Sequence, residues 1–207
     1  MKLIIASNNK GKIREYKDIF EPRGFHVRSQ GEENICLEVE ETGSTFEENA
    51  MLKARAVCDK AHCCVISDDS GLEVDALDGE PGVHSARYAG EHGNDEANND
   101  LLLNRMEGRK DRSAAFRCAL ALKIPGRETV IAEGKCPGTI LYERRGTGGF
   151  GYDPLFLYEP MGKTYAEMNE TEKNQISHRA RAAEKMREIM AGLQEIRVQN
   201  NLKARKP

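Results

Sequence analysis

The sequence predicts an α/β fold: one domain of two lobes over residues 1–195, followed by a basic tail at 196–207. Three observations carry the prediction. Short apolar runs such as Lys2–Ala6 and Val65–Ser67 alternate with segments of helical period such as Thr45–Ala61, as in a sheet layered with helices. Ala114–Ile124 and Glu128–Lys135 flank Pro125-Gly126-Arg127 like the arms of a long hairpin. The 207 residues show neither an internal repeat nor a linker, and suffice for one substantial core.

The elements follow in order. Lys2–Ala6 reads as a nearly all-apolar first strand. Ser7-Asn8-Asn9-Lys10-Gly11-Lys12 turns into a helix carrying Ile13, Tyr16 and Phe20, which Pro22 and Gly24 end. Phe25–Ser29 alternates like a second strand. Ser44 with Glu47, or Thr45 with Glu48, forms a capping box for a helix to Ala61. Val65–Ser67 is a strand, after which Asp68-Asp69 lead into a glycine turn, with Leu72–Ala76 another extended piece. Gly79–Gly90 is loop. Asn94 caps a helix through Leu101, Leu102 and Met106 that Gly108 stops. After the hairpin comes a glycine-rich loop at Gly146–Gly151. A last helix begins near Glu170 or Ser177 and ends near Leu193, leaving Arg197–Pro207 as a frayed, solvated end.

A hydrophobic content of 39%, a charged content of 31% and a net charge of −3 describe an ordinary soluble globular chain. That balance argues against a general binder of nucleic-acid polymers but leaves room for a local basic pocket. Met1–Ala6 is too short for the apolar part of a signal peptide, and no stretch reaches transmembrane length, so the expected location is cytoplasmic, with no membrane partner. The six cysteines then read as reduced. Cys58, His62, Cys63 and Cys64 lack the separated Cys-x-x-Cys pairs of a structural zinc site, and Cys63 and Cys64 read as small apolar residues entering a strand.

Chemistry concentrates in a few places. Asp68-Asp69, directly after an apolar run, is costly to bury unless a cation or metal sits there; a capping turn is the plainer alternative. The loop Ser7–Lys12, between strand and helix, offers backbone N–H groups, amides, a hydroxyl and lysines to a phosphate, or serves simply as a polar cap. On the helix Thr45–Ala61, a step of about 100° per residue puts Lys53 about 20° from Phe46, inside the stripe Phe46, Ala50, Val57 and Ala61. An inward lysine needs anions, and Glu40, Glu41, Asp68 and Asp69 lie near in sequence, in a salt bridge or in a site. In Gly146–Pro154 the glycines let Phe150 approach a flat ligand while Asp153 accepts a base N–H; a flexible turn with an aromatic anchor is the alternative. In the last helix Arg179 falls within the stripe Ile176, Ala180, Ala183 and Met190; otherwise Ser177 is a cap and His178-Arg179 an exposed first turn.

Together these segments resemble the inosine triphosphate pyrophosphatase family, which removes non-standard purine nucleotides. The resemblance rests on Ser7-Asn8-Asn9-x-x-Lys12, Glu40-Glu41-Thr42-Gly43, Thr45-Phe46-x-Glu48-Asn49-Ala50 with Lys53-Ala54, Ser67-Asp68-Asp69-Ser70-Gly71-Leu72, Pro81–Tyr88, Gly148–Pro154 and Ser177-His178-Arg179, in family order along nearly the whole chain.

The resemblance implies an elongated α/β domain with a mixed central sheet, an active-site cleft between two lobes, and a homodimer. It implies Mg²⁺-dependent cleavage of ITP, dITP and XTP between the α- and β-phosphates. Ser7, Asn8, Asn9, Lys10, Gly11, Lys12 and Lys53 would hold the triphosphate; Glu40 or Glu41 with Asp68 and Asp69 would hold Mg²⁺; Asp69 would deprotonate the attacking water with Ser70 beside it. Phe150 would stack on the base. Gly151, Tyr152 and Asp153 would line its pocket, and Arg179, with His178 or Lys173, would donate to its 6-oxo group, so that adenine meets a donor with a donor. Two rivals remain: a pyrophosphatase for pyrimidine nucleotides such as dTTP and UTP, and a module that binds nucleotides without cleaving them.

Overall fold

The computed structural model describes residues 2–203, with side chains as far as 192. Seven strands form one sheet in the order β2-β1-β3-β4-β5-β6-β7. The strands are β1 (Lys2–Ile5), β2 (His26–Ser29), β3 (Val65–Val74), β4 (Ser113–Lys123), β5 (Val130–Ile140), β6 (Phe156–Tyr158) and β7 (Lys163–Thr164). The helices are α1 (Lys10–Phe20), α2 (Phe46–Ala61), α3 (Asp95–Arg105), α4 (Glu170–Ile176) and α5 (His178–Lys203). β1 runs parallel to β2 and β3, and every other pair is antiparallel, so the sheet is mixed, as expected. No helix among the described residues is long and apolar enough to cross a membrane.

Alternation along the strands sends side chains to two helical layers. On one face Phe46, Ala50 and Ala54 of α2 pack on Ala119 and Ala121 of β4, while Val57 and Cys58 cover Ile4 and Val65. On the other, Tyr16, Ile19 and Phe20 of α1 and Ala182, Ala183, Met186 and Met190 of α5 cover Leu3, Ile5, Ile66 and Leu120. Leu102 and Met106 of α3 close the far end of the sheet over Leu72, Val74 and Phe116.

Several expectations are corrected. The expected glycine turn after Ser67 is absent: β3 continues unbroken to Val74, and its register with β4 pairs Asp68 with Leu120, Asp69 with Ala119 and Gly71 with Arg117. Gly71 serves close approach, because a Cβ there would collide with Ser85 and Gly82 on the neighbouring turn. β5 runs through Pro137 to Ile140, along a stretch where β6 pairs only with Thr139 and Ile140 and a missing N–H is tolerated. The last helix is two: Ser177, with extended ψ of 160°, ends α4, and its Oγ accepts the Ala180 N–H at 3.2 Å to start α5. α5 continues past Leu193 to Lys203, so the backbone of the expected frayed tail is helical that far; residues 204–207 lie outside the described residues. At α2 the choice between caps falls to Thr45, whose Oγ1 accepts the Glu48 N–H at 3.2 Å while the Glu48 carboxylate takes the Ser44 N–H at 2.7 Å.

Candidate active site

β1 bonds to β3 only at Ile4–Val65 and Ile5–Ile66, and then stops. Its connection leaves toward β2 on one side while β3 lies on the other, a switch point of the kind that opens a crevice beyond a strand's C-terminal end. A cavity of about 720 Å³ lies there.

Its first wall is the β1–α1 turn. Asn9 caps α1, its Oδ1 accepting the Lys12 N–H at 3.1 Å, and Ser7 Oγ accepts the Asn9 N–H at 3.1 Å. Ser7, Asn8, Asn9 and Lys12 line the cavity. Lys10 is exposed and Gly11 is half-buried, and neither lines it. Gly11 instead gives room to Phe150, since a Cβ there would stand 2.7 Å from the ring.

The floor is β3, and its two aspartates point to opposite faces. Asp68 is 1% exposed and saturated: Oδ2 accepts Tyr16 Oη at 2.6 Å, Arg179 Nε at 3.1 Å and Cys118 Sγ at 3.3 Å, while Oδ1 takes Ser70 Oγ at 3.0 Å and pairs with Lys12. Burial alone would raise its pKa, but Lys12 and Arg179 hold the carboxyl well below the usual aspartate range. Asp69 faces α2, accepting Lys53 Nζ at 3.2 Å and Asn49 Nδ2 at 3.2 Å. Burial pushes its pKa up, with Lys53 and Lys12 opposing and Glu41 and Asp68 adding to the rise. Lys53 points inward as its helical position predicts and bridges Asp69 to Glu41 Oε1 at 2.6 Å; it remains charged despite burial because of those two carboxylates. Arg87, from the turn after β3, reaches the other Glu41 oxygen at 3.5 Å. Glu40 is exposed at the cavity and has no ion-pair partner among the described residues.

The second wall joins the glycine loop to the start of α5. His178 and Arg179 form the first turn of α5 but are 1% and 4% exposed, so the expectation of an exposed turn fails although Ser177 is the cap. All three guanidinium nitrogens of Arg179 are engaged, Nε with Asp68, Nη1 with Glu15 at 3.0 Å and Nη2 with Ser70 Oγ at 2.8 Å. Lys173 lies behind the cavity between Glu15 Oε1 at 3.0 Å and Asp153 Oδ2 at 2.7 Å, with its ammonium 4.8 Å from the Phe150 ring centroid. Asp153 also accepts the Phe150 N–H at 3.0 Å. His178 stacks on Phe116 at 4.8 Å, lines the cavity, and neither ring nitrogen has a partner in the protein. Burial, then Arg179, holds its pKa well below the usual histidine value, so the ring is neutral. Tyr152 is buried, its Oη donating to Ser85 O at 2.9 Å, and the Gly151 N–H is taken by Asp95.

Glu15 and Asp95 escaped the sequence reading, which names Tyr16 only as an apolar helix position and Asn49 and Arg87 only within motifs, without a role. A signal for Glu15 exists, since it stands about 40° from Ile19 on the buried face of α1.

An asparagine-capped helix start, a lysine-bridged carboxylate pair and an aromatic pocket around one crevice define a nucleotide-handling α/β protein. The chain belongs to the Ham1 family, whose model matches residues 3–189, the relationship that the motifs implied. It is 53% identical to the dITP/XTP pyrophosphatase of Bacillus licheniformis over 91% of this chain and 97% of that one, and 51% identical to that of Bacillus subtilis over 90% and 96%. The Ham1 protein structure from Staphylococcus aureus superposes with a TM-score of 0.83 at 46% identity, covering 93% of this chain and 99% of that one.

Proposed function

We propose that this chain hydrolyses non-standard purine nucleoside triphosphates, dITP, ITP and XTP, between the α- and β-phosphates to a nucleoside monophosphate and pyrophosphate. The observation that carries the reading is Asp69, a buried carboxylate of raised pKa on Lys53, at the cavity that the capped start of α1 also lines. The triphosphate lies along Ser7–Asn9 and Lys12, where N–H dipoles and an ammonium offset its charge. Asp69 orients a water and takes its proton as the water oxygen bonds to Pα and the bridging Pα–O bond breaks; a raised pKa suits a base working near neutral pH. Lys53 fixes the Asp69 carboxylate and neutralises the departing pyrophosphate.

The donor set suits a hard divalent ion, being all oxygen and open to water at Glu40. Glu40 and Asp69 are the residues that would hold Mg²⁺, with Glu41 beside them committed to Lys53. Asp68, expected as a ligand, has both oxygens filled by protein donors. Bound there, Mg²⁺ would supply charge neutralisation of the phosphates.

At the other end Phe150 stacks on the base, and His178, neutral and with both nitrogens free of protein partners, donates to the 6-oxo group. Of the two cations expected to donate directly, Arg179 lines the cavity with its three nitrogens engaged by Asp68, Glu15 and Ser70, and Lys173 acts from behind through Glu15 and Asp153. Residues 1–195 form the catalytic domain, acting as a cytoplasmic homodimer.

The test is pyrophosphate release from dITP, ITP, XTP, dATP, dGTP and dTTP with Mg²⁺. Release confined to the first three is expected; a preference for dTTP would assign the cleft to pyrimidines, and silence on all six would make it a binding site.

A further inference from the structure

Helix α3 lies outside the chemistry above, yet it reaches both sides of the cleft with buried polar side chains. Asn98 and Asn99 are 2% and 1% exposed. Buried amides are costly unless their bonds matter, and here they tie separate segments together. Asn98 Oδ1 accepts the Ala89 N–H at 2.8 Å and its Nδ2 donates to Ala86 O at 3.4 Å, bracketing the turn that carries Arg87. Asn99 Nδ2 donates to Gly151 O at 2.9 Å and to Asp95 O at 2.8 Å. Asp95 Oδ2 accepts the Gly151 N–H at 2.7 Å. Thus both backbone polar groups of Gly151 are held by one helix turn.

Gly151 has φ of +61°, follows Phe150 directly and belongs to a loop rich in glycine. Such a loop, left to itself, samples many conformations. We propose that Asp95 and Asn99 are positioning residues for the base: they clamp Gly151 so that Phe150 and Asp153 stay in the geometry that receives the nucleotide. The proposal rests on the cleft being a nucleotide site. Because Asp69 and Lys53 stand on β3 and α2, loosening the clamp lowers the fraction of protein ready to bind without altering the bond-breaking groups. Apparent affinity falls by that fraction, and turnover at saturation does not.

The experiment compares Asp95→Ala, Asp95→Asn and Asn99→Asp with the unaltered protein, reading kcat, KM for ITP, Tm and hydrogen exchange at the Gly151 amide. Asp95→Ala removes the acceptor; Asp95→Asn retains one; Asn99→Asp replaces the donor to Gly151 O with an acceptor. Expected are KM raised about tenfold in Asp95→Ala and Asn99→Asp with kcat within about twofold, and near-normal KM in Asp95→Asn. Gly151 exchange should quicken in Asp95→Ala alone of the Asp95 pair, at little-changed Tm. An unchanged KM in Asp95→Ala, an Asp95→Asn as impaired as Asp95→Ala, or a fall in kcat that tracks Tm would overturn the proposal. If the unaltered protein cleaves no nucleotide, the functional reading fails separately, and Gly151 exchange decides the clamp: quickened in Asp95→Ala and not Asp95→Asn supports it, no difference overturns it.

Discussion

Asp68 and Asp69 are neighbours in the chain with opposite orientations and opposite electrostatics. Asp68 faces α1 and α5 and receives Arg179 at 3.1 Å; Asp69 faces α2 and receives Lys53 at 3.2 Å. The first is held well below its ordinary pKa by Lys12 and Arg179 against burial, and the second is raised by burial. Carboxyl groups driven apart in this way divide their duties, one fixed as a charge and one left to exchange a proton.

That division predicts different losses. Asp69→Asn should lower kcat for ITP by about 10²–10⁴ while Tm and nucleotide affinity hold. Asp68→Asn should instead cost about 3–5 kcal/mol of stability, because it leaves Arg179 and Lys12 buried with less counter-charge. Urea denaturation and pyrophosphate release on both variants decide it; a stable, inactive Asp68→Asn beside an active Asp69→Asn would exchange the roles.

Glu15 provides a pH test. Burial works against its charge, but Arg179 and Lys173 win and hold its pKa below the ordinary glutamate value. Its ionised form is therefore favoured by folding: the stabilisation is full above the unfolded-state pKa, about 4.3, and is lost as pH falls through the lower folded value. Glu15→Gln should cost about 3 kcal/mol at pH 7. The gap between the two proteins should narrow as pH drops below about 4, measured by chemical denaturation; a gap constant with pH would mean that packing, not charge, explains the loss.

Metal withdrawal should stop turnover and leave the fold intact, since the core clusters contain none of the acidic ligands. Glu40→Gln should raise the Mg²⁺ concentration for half-maximal activity about tenfold. Glu41→Gln should act through Lys53, lowering kcat at saturating Mg²⁺. Titrating Mg²⁺ against pyrophosphate release separates them, and identical Mg²⁺ curves for Glu40→Gln and the unaltered protein would remove Glu40 as a ligand.

Helical period made Lys53 and Arg179 legible, because a cation inside an apolar stripe stands out at any distance from its partner. The acidic pair is legible as a charge pair that needs a cation, but not as the middle of a strand: two aspartates and a glycine contradict strand propensity, and the partners that overrule it, Tyr16, Lys53 and Arg179, come from three helices. Glu15 was hidden for the same reason, since its bond to Arg179 spans 164 residues and a charge on a helix ordinarily faces water. β6 and β7, of 3 and 2 residues, are too short to carry a period.

Glycine in β5 gives the last prediction. Gly134 sits beneath the first turns of α5, where a Cβ would collide with the His178 carbonyl oxygen and stand 2.6 Å from Ala182 N. Both obstacles are backbone, so no rotamer can yield, and the helix itself must shift. Its first turn carries His178 and Arg179, so Gly134→Ala should cost about 1–3 kcal/mol and raise KM for ITP together. Gly192, on the same helix and exposed, meets nothing within 4 Å, and Gly192→Ala should stabilise by about 0.5–1 kcal/mol with unchanged kinetics. Thermal melts and steady-state kinetics on the pair test the seating of α5: if Gly134→Ala melts lower but retains normal KM, the first turn of α5 is not what positions the base.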